Sequence, residues 1–259
     1  MSPAIVVPLL LLSSEACGAD ETLRPATRAS HMTGAPEPAV SWRSVLTNLA
    51  SDQKRIWTFP SVMRSRKDWR AVLVVAGVTA ALIPLDRVEA RYFRHSPGFE
   101  GFNTAFSGRN TSVAMAVVPG SFLLAGFFRR DAYARNTALL AGQAVVDAEI
   151  LTSAIKNLSH RLRPAAIPLN QTGGRTWFRD KGVTLGGAGS FPSGHTIAAF
   201  SVATVLSQRY RHHRWVPYVA YGLAGVIGFS RISLLSHFSS DVFMGTALGY
   251  SISRFVVLR

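Results

Sequence analysis

Six apolar segments follow one another along the chain from Trp69 onward. They cover residues 69–85, 111–128, 136–155, 194–208, 216–234 and 241–258. Each segment is longer than an ordinary β-strand, and no hairpin dipeptide separates runs of alternating apolar and polar residues. The pattern therefore predicts six helices and an all-α fold.

A weaker apolar pattern precedes the six segments. Apolar side chains recur at helical spacing among basic residues, at Trp42, Val45, Leu46, Leu49 and Ile56. This spacing predicts an N-terminal amphipathic helix, which either packs on a core or lies on an anionic membrane surface.

The lengths of the six segments leave two environments open. Several are shorter than the roughly 20 residues that span a bilayer comfortably. The third contains Asp147 and Glu149, whose carboxylates are costly against lipid unless they face the bundle interior. The chain therefore forms either a compact six-helix membrane bundle or a soluble all-helical domain, and we favour the transmembrane bundle.

The N-terminal part of the chain has a different character. Residues 4–12 form an apolar run followed by small residues, which is typical of a signal peptide or of an uncleaved apolar segment. Residues 20–41 are rich in Pro, Gly, Ala, Ser and Thr and resemble a linker. We therefore divide the chain into 1–19, a linker and amphipathic helix at 20–68, and a main domain at 69–259 whose core is 136–258.

Composition limits the chemistry of the chain. Lys and Arg number 28 against 14 Asp and Glu, a formal net charge of +14 that favours an anionic partner. The single cysteine, Cys17, excludes an intramolecular disulfide and a metal site built from several cysteines. After Glu149 the only carboxylates are Asp180 and Asp241, so no carboxylate-cluster metal site is expected there.

The positions of the basic residues predict an orientation in a membrane. Arginines cluster before the first segment, in the loops after the second and fourth segments, and at the C-terminus. The positive-inside rule places these in the cytoplasm and the loops near 87–110, 156–193 and 235–241 on the outer face. We predict a multi-pass protein of the inner membrane whose outer loops face the periplasm or the cell exterior. A soluble periplasmic protein is the alternative.

Three spaced motifs lie in these outer loops. The first is Lys156, six residues, and Arg163 followed by proline; the second is Pro192-Ser193-Gly194-His195; the third is Ser230-Arg231, five residues, His237, three residues and Asp241. Each motif alone has an ordinary explanation as a helix-end charge, a helix cap or a local hydrogen bond.

Together the motifs resemble the signature K-x6-RP, PSGH and SR-x5-H-x3-D of the type 2 phosphatidic acid phosphatase superfamily. That superfamily includes lipid phosphate phosphatases, bacterial acid phosphatases and vanadium haloperoxidases. The resemblance covers roughly residues 111–258 and matches every specified position in order. It implies a six-helix bundle and a phosphate-binding site.

The residue types suit phosphoryl transfer, in which charge develops on the phosphoryl oxygens. Lys156, Arg163 and Arg231 supply three positive charges that hold a phosphate without a metal or cofactor. Ser193 and the amides that follow it, beginning at Gly194, lie at a helix start, where unsatisfied N–H groups favour an anion.

The resemblance assigns the catalytic roles. It implies that His237 is the nucleophile that forms a phosphohistidine and that Asp241 fixes the tautomer of His237 by accepting a hydrogen bond from its other ring nitrogen. It also implies that His195 protonates the leaving group and then activates water.

Other residues of the loops have less certain roles. Residues 165–191 form either a plain surface loop or a lid whose aromatic and basic side chains meet a lipid headgroup: Arg175, Trp177, Phe178, Arg179 and Lys181. We expect His160, His212 and His213 to be solvated.

The resulting hypothesis is a membrane phosphatase that acts on a phospholipid phosphate or an isoprenoid diphosphate. The alternatives are a soluble exported acid phosphatase, a vanadium haloperoxidase and a non-enzymatic basic membrane scaffold. No nucleic-acid-binding module is recognisable.

Overall fold

The computed structural model describes residues 42–62, 66–167, 176–180, 182–184 and 186–259. Over these residues the chain is helical, without a β-strand, as predicted. Its helices are α1 (Trp42–Val62), α2 (Arg66–Leu82), α3 (Asp86–Arg94), α4 (Glu100–Ala105), α5 (Gly108–Phe128), α6 (Ala132–Ser159), α7 (Gly194–Arg209), α8 (Trp215–Ser233) and α9 (Ser239–Ile252). Short 3-10 turns occur at Pro97–Phe99 and Pro164–Ala166, and a π-turn at Ser253–Val257 follows α9.

Capping residues set the ends of the long helix α6. Asp131 precedes the helix, and its carboxylate accepts hydrogen bonds from the backbone N–H groups of Tyr133 and Ala134, at 2.8 and 3.2 Å. At the other end His160 has a left-handed backbone, with φ of 42°, which ends the helix. The chain therefore turns away from the helix axis between Lys156 and Arg163, inside the first motif.

Helix α7 lies at the centre of the bundle and packs against α5, α6, α8 and α9. The core around it consists largely of small and branched side chains: Ala141, Ala144, Ala148, Ile197, Val202, Val205, Ile252 and Val257. Helices α7 and α9 cross at close range. A Cβ atom added at Gly249 would lie 2.5 Å from the carbonyl oxygen of Ile197, and one at Gly245 would lie 2.9 Å from that of Ser193. Glycine at these positions lets the two backbones approach.

Contacts at both ends show the direction of the helices. Tyr133 at the start of α6 donates a hydrogen bond to the carbonyl of Arg209 at the end of α7. Arg231 near the end of α8 donates to the carbonyl of Phe106, just before α5. One end of the bundle, here called the motif end, is therefore formed by the starts of α5, α7 and α9 and the ends of α6 and α8.

Helix α5 and the segment Ala132–Ala166, which contains α6, are long and apolar enough to cross a membrane by length and composition. The pair Trp69–Leu82 and Asp86–Arg94, bent by 49°, adds a third crossing if it forms one span. Large apolar side chains are exposed along α5, at Val113, Val117, Leu124, Phe127 and Phe128. The structure thus has helices apolar enough to span a membrane, as predicted, although α7 and α9, with 16 and 14 residues, are short for a span.

The predicted amphipathic helix is present as α1, and it packs on the bundle. The amide of Gln53 donates to the Asp147 carboxylate at 2.8 Å, and Gln143 donates to Asp52 at 2.6 Å. Ile56 contacts the core. Asp147 therefore faces the interior, as expected of a carboxylate in an apolar helix.

The stretch 87–110, predicted as a loop, is mostly helical, and this prediction was wrong. Helix α3 has Asp86 and Glu89 in its first turn and Arg91 and Arg94 in its last turn, an arrangement that complements the helix dipole. Helix α3 was not predicted because its sequence, DRVEARYFR, lacks a continuous apolar run. The predicted segment at 1–19 and the linker at 20–41 lie outside the described residues.

Candidate active site

All three motifs meet at the motif end of the bundle. Lys156 comes from the last turn of α6, and the second motif opens α7. Arg231 lies in the last turn of α8, and Asp241 lies in the first turn of α9. His237 lies in the short connection between α8 and α9. Helix ends thus hold the side chains at fixed points around one centre.

The imidazole of His237 is held by the loop that precedes α7. Its Nδ1 lies 2.7 Å from the carbonyl oxygen of Ser190. Because a carbonyl only accepts hydrogen bonds, Nδ1 carries the proton and Nε2 keeps its lone pair. The side chain is buried, with 3% exposed. Burial lowers the pKa of His237 below its usual value, and the cations Lys156 and Arg163 add to this effect while Asp241 opposes it. The ring is therefore neutral at neutral pH.

Asp241 does not hold His237 directly, which corrects the sequence-based expectation. Its nearest carboxylate oxygen lies 3.7 Å from Nδ1, too far for a hydrogen bond. The carboxylate instead accepts hydrogen bonds from the hydroxyl of Ser190 at 2.6 Å, from the backbone N–H of Phe238 at 2.9 Å, and from Arg161. Ser190 therefore links Asp241 to His237.

Lys156 and Glu149 lie side by side against the start of α7. A Cβ atom added at Gly194 would lie 3.3 Å from Nζ of Lys156 and 3.2 Å from a carboxylate oxygen of Glu149. Gly194 thus leaves the space that these two side chains occupy. Ser193 is buried: its N–H donates to the carbonyl of Asp241 at 3.1 Å, and its hydroxyl accepts from Thr196 at 2.9 Å.

His195 and Arg231 meet at the start of α5. A Cβ atom added at Gly108 would lie 3.8 Å from Nη1 of Arg231 and 4.0 Å from Nε2 of His195. Nε2 of His195 is also 3.1 Å from the hydroxyl of Ser112. The guanidinium of Arg231 donates to the hydroxyl of Thr111 at 3.0 Å. Helix α5, which contributes no residue to the motifs, therefore forms one wall of the site.

Arg163 is the most exposed of the predicted phosphate-binding residues, and it lies at the rim. The turn that follows it is held by Arg94, whose guanidinium donates to the carbonyls of Pro164 and Ile167 at 2.5 and 2.9 Å. Arg163 interacts electrostatically with both Lys156 and His237. The eight predicted residues are thus gathered at one end of the bundle.

The predicted lid is described only in part, because Arg175 and Lys181 lie outside the described residues. Trp177 packs edge-on against Phe191, with 5.1 Å between ring centroids. Phe178 is 76% exposed. His160 was predicted to be solvated, but it is half-buried, and its Nδ1 is buried without a hydrogen-bond partner. That prediction was wrong because His160 ends α6 beneath the loop, whereas His212 and His213 are exposed as expected.

Sequence reasoning missed three residues that surround Asp241: Ser190, Arg161 and Asp86. Arg161 stands inside the unspecified part of the first motif, and Ser190 lies just before the second motif. Asp86 lies on the unpredicted helix α3. Across the described residues, no group of three or more His, Cys, Asp and Glu side chains is placed to bind a metal ion.

Comparison with known proteins agrees with the motifs. Residues 137–259 match the sequence model of the PAP2 superfamily. Lipid A 1-phosphatase of Porphyromonas gingivalis is 41% identical over 63 residues, which are 24% of this chain and 14% of that protein. The match thus spans only about one-seventh of that relative's length.

A solved structure is also similar. A transmembrane PAP2-type phosphatidylglycerolphosphate phosphatase from Bacillus subtilis superposes with a TM-score of 0.46 and 20% identity, over 72% of this chain and 92% of that one. The resemblance that the three motifs predicted is confirmed by the family match, which covers residues 137–259, just under half of the chain.

Proposed function

We propose that this chain is a membrane phosphatase that hydrolyses a lipid phosphate or an isoprenoid diphosphate through a phosphohistidine at His237, without a divalent metal. The hydrogen bond from Nδ1 of His237 to the carbonyl of Ser190 carries the proposal. It leaves Nε2 with a lone pair for attack on phosphorus, and the low pKa of His237 keeps that lone pair free of a proton.

The charges around His237 support an anionic substrate. Lys156 lies in the last turn of α6, Arg163 in the turn that follows α6, and Arg231 in the last turn of α8. Each would neutralise a phosphoryl oxygen as charge develops. Asp241 is already bonded to Arg161 and Ser190, so its carboxylate is committed to the protein. The proposal therefore needs no metal ion to balance the phosphate charge.

His195 is proposed as the acid and base of the reaction. It lies beside Arg231 at the wall formed by α5, on α7 rather than on the connection that holds His237. In the first step it would donate a proton to the leaving oxygen as the phosphorus–oxygen bond breaks. In the second step it would accept a proton from the water that attacks the phosphohistidine and releases phosphate.

Two observations support a lipid substrate. The helices expose apolar side chains such as Val117 and Phe128 that suit a bilayer, and the similar Porphyromonas gingivalis protein is a lipid A 1-phosphatase. Both support a phosphate carried by a lipid rather than a soluble ester.

Phosphate release from a substrate panel tests this function and the metal independence together. The purified protein is assayed in mixed micelles with phosphatidate, a glycerophosphate-headgroup lipid, lipid A, a polyprenyl diphosphate and a soluble aryl phosphate. We expect release from at least one lipid, undiminished in EDTA and competitively inhibited by vanadate. His237→Ala protein prepared in parallel excludes a contaminating phosphatase. Hydrolysis of the aryl phosphate alone, or loss of activity in EDTA that magnesium restores, contradicts the proposal.

We also propose that the motif end faces the periplasm or cell exterior, because the loops at the other end of the bundle carry Arg129, Arg130, Arg211 and Arg214. Gly186 is exposed with open space around it, so a cysteine there should be tolerated. In a Cys17→Ser background, Gly186→Cys should react with a membrane-impermeant thiol reagent in intact cells with a permeabilised outer membrane.

The matched control is Arg211→Cys, which places the thiol at an exposed position on the opposite loop. It should react only after the inner membrane is broken. The reverse labelling pattern for the two cysteines means that the site faces the cytoplasm.

A further inference from the structure

Arg161 is a buried cation at the motif end that none of the three motifs specifies. Its side chain is 1% exposed. One guanidinium nitrogen, Nη2, donates to Asp86 at 2.6 Å, and the other, Nη1, donates to Asp241 and to the hydroxyl of Ser240. Arg161 therefore joins two buried carboxylates that come from different helices.

Aromatic rings hold the guanidinium in place. Its central carbon lies 4.5 Å from the ring centroid of Trp177 and 4.3 Å from that of Phe238. The planar group thus packs against two rings while its nitrogens bind carboxylates, which a lysine ammonium does not reproduce. The position of the Asp241 carboxylate follows from this packing.

Asp86 holds the other side of Arg161, and it lies outside the part of the chain that matches the family. Its carboxylate also accepts hydrogen bonds from the backbone N–H of Ser240 at 3.2 Å and from the hydroxyl of Ser240 at 2.6 Å. Ser240 immediately precedes Asp241. Asp86 therefore fixes both the guanidinium that binds Asp241 and the backbone that carries Asp241.

The link to His237 passes through Ser190, which is anchored twice. Its N–H donates to the backbone carbonyl of Arg161 at 2.7 Å, and its hydroxyl donates to Asp241 at 2.6 Å. The carbonyl of the same Ser190 accepts the Nδ1 proton of His237. A shift of Arg161 therefore moves both anchors of the group that sets the tautomer of His237.

We propose that Asp86 and Arg161 are positioning residues for His237, acting through Asp241 and Ser190. Neither touches the phosphate, which Lys156, Arg163 and Arg231 bind in the proposed function on which the kinetic part of this inference rests. Their loss should therefore lower the rate of chemistry and leave substrate binding unchanged.

Helix α3 offers a matched control for Asp86. Glu89 also caps the start of α9, by accepting a hydrogen bond from the N–H of Ser239 at 3.1 Å, but no hydrogen bond or ion pair joins it to Arg161. Glu89→Gln keeps an oxygen that accepts this bond. Asp86→Asn removes the negative charge opposite Arg161. Its amide N–H group would also face Arg161 and Ser240, which both donate hydrogen bonds to Asp86 in the wild-type protein.

The kinetic experiment compares Asp86→Asn, Arg161→Lys, their double variant and Glu89→Gln. We expect kcat to fall about 10- to 100-fold in both single variants with KM unchanged, since a displacement of about 1 Å costs this much. The double variant should fall no further than the worse single variant because both act on one chain of contacts. Glu89→Gln should keep wild-type kcat, and Asp86→Glu should recover more activity than Asp86→Asn.

A second measurement does not depend on turnover. The nitrogen chemical shifts of ¹⁵N-labelled His237 report which ring nitrogen carries the proton, and His237→Gln identifies its signals. Wild-type protein and Glu89→Gln should show the Nδ1–H form, whereas Asp86→Asn and Arg161→Lys should show a mixture of tautomers.

The outcomes separate the two proposals. The positioning role is overturned if Asp86→Asn and Glu89→Gln lose kcat equally, or if KM rises while kcat stays constant. It is also overturned if the losses multiply in the double variant, or if His237 keeps its tautomer in Asp86→Asn and Arg161→Lys. If the wild-type protein hydrolyses no phosphate compound yet its variants show the tautomer change, the proposed function fails and the positioning role stands.

Discussion

Replacing His237 by alanine is expected to abolish phosphate release, whereas replacing His195 should trap the reaction halfway. Without Nε2 of His237 no covalent bond to phosphorus forms, so His237→Ala should show neither a burst nor turnover. In His195→Ala the first step still proceeds with an aryl phosphate, because this leaving group needs little protonation. The second step lacks a base for water, so acid-labile phosphohistidine should accumulate at position 237.

Rapid-quench experiments with ³²P-labelled aryl phosphate, followed by peptide mapping, measure both outcomes. Ser112→Ala is a useful companion because it removes a hydroxyl 3.1 Å from Nε2 of His195 but leaves the ring; it should accumulate far less phosphoenzyme than His195→Ala. Label on His195, or undiminished turnover in His237→Ala, rejects the assignment of the two histidines.

Asp241→Asn is expected to lower turnover by a factor on the order of 10² to 10⁴, as loss of the orienting carboxylate does in serine protease triads. Asp241 holds Ser190 and Arg161, so asparagine would leave Arg161 without one of its two ionic partners and would loosen the Ser190 carbonyl that binds His237. The loss should appear in kcat rather than in KM.

Asp147→Asn serves as the control for the burial of a carboxylate. Both aspartates are fully buried, but Asp147 is bonded to Gln53 of α1 and lies outside the site. Steady-state kinetics and thermal unfolding are measured on both variants. Asp147→Asn should keep wild-type kcat. A similar fall in kcat for the two variants would show that any buried carboxylate matters equally, which contradicts a specific role for Asp241.

The apolar segments were a reliable guide to the long helices α5, α6, α8 and α9, because each packs against α7 and this requires an apolar face. They were a poor guide to α3, which has only nine residues and whose sequence is dominated by charges. Its acidic first turn and basic last turn were the available signal. Whether α1 packs on the bundle or on a membrane was also undecidable from its pattern, since both surfaces accept an amphipathic helix.

Motif spacing predicted which residues gather at the motif end, but it did not predict the hydrogen bonds between them. The spacing of His237 and Asp241, four positions apart, indicated a direct hydrogen bond. The structure instead places the carbonyl of Ser190 at Nδ1. Every residue has a backbone carbonyl, so no residue type in the sequence marks this acceptor.

The sequence by itself determined the all-helical class, the presence of helices apolar enough to span a membrane and the similarity to the PAP2 superfamily, because these depend on local apolar patterns and on residue types at fixed spacings. Only the tertiary structure decided which side chains surround Asp241. Asp86 and Ser240 are 154 positions apart in the chain and meet because α3 packs at the start of α9. Arg161 lies between them because α6 ends at His160 and the chain turns inward. Such contacts depend on the packing of several helices at once, and no local pattern encodes them.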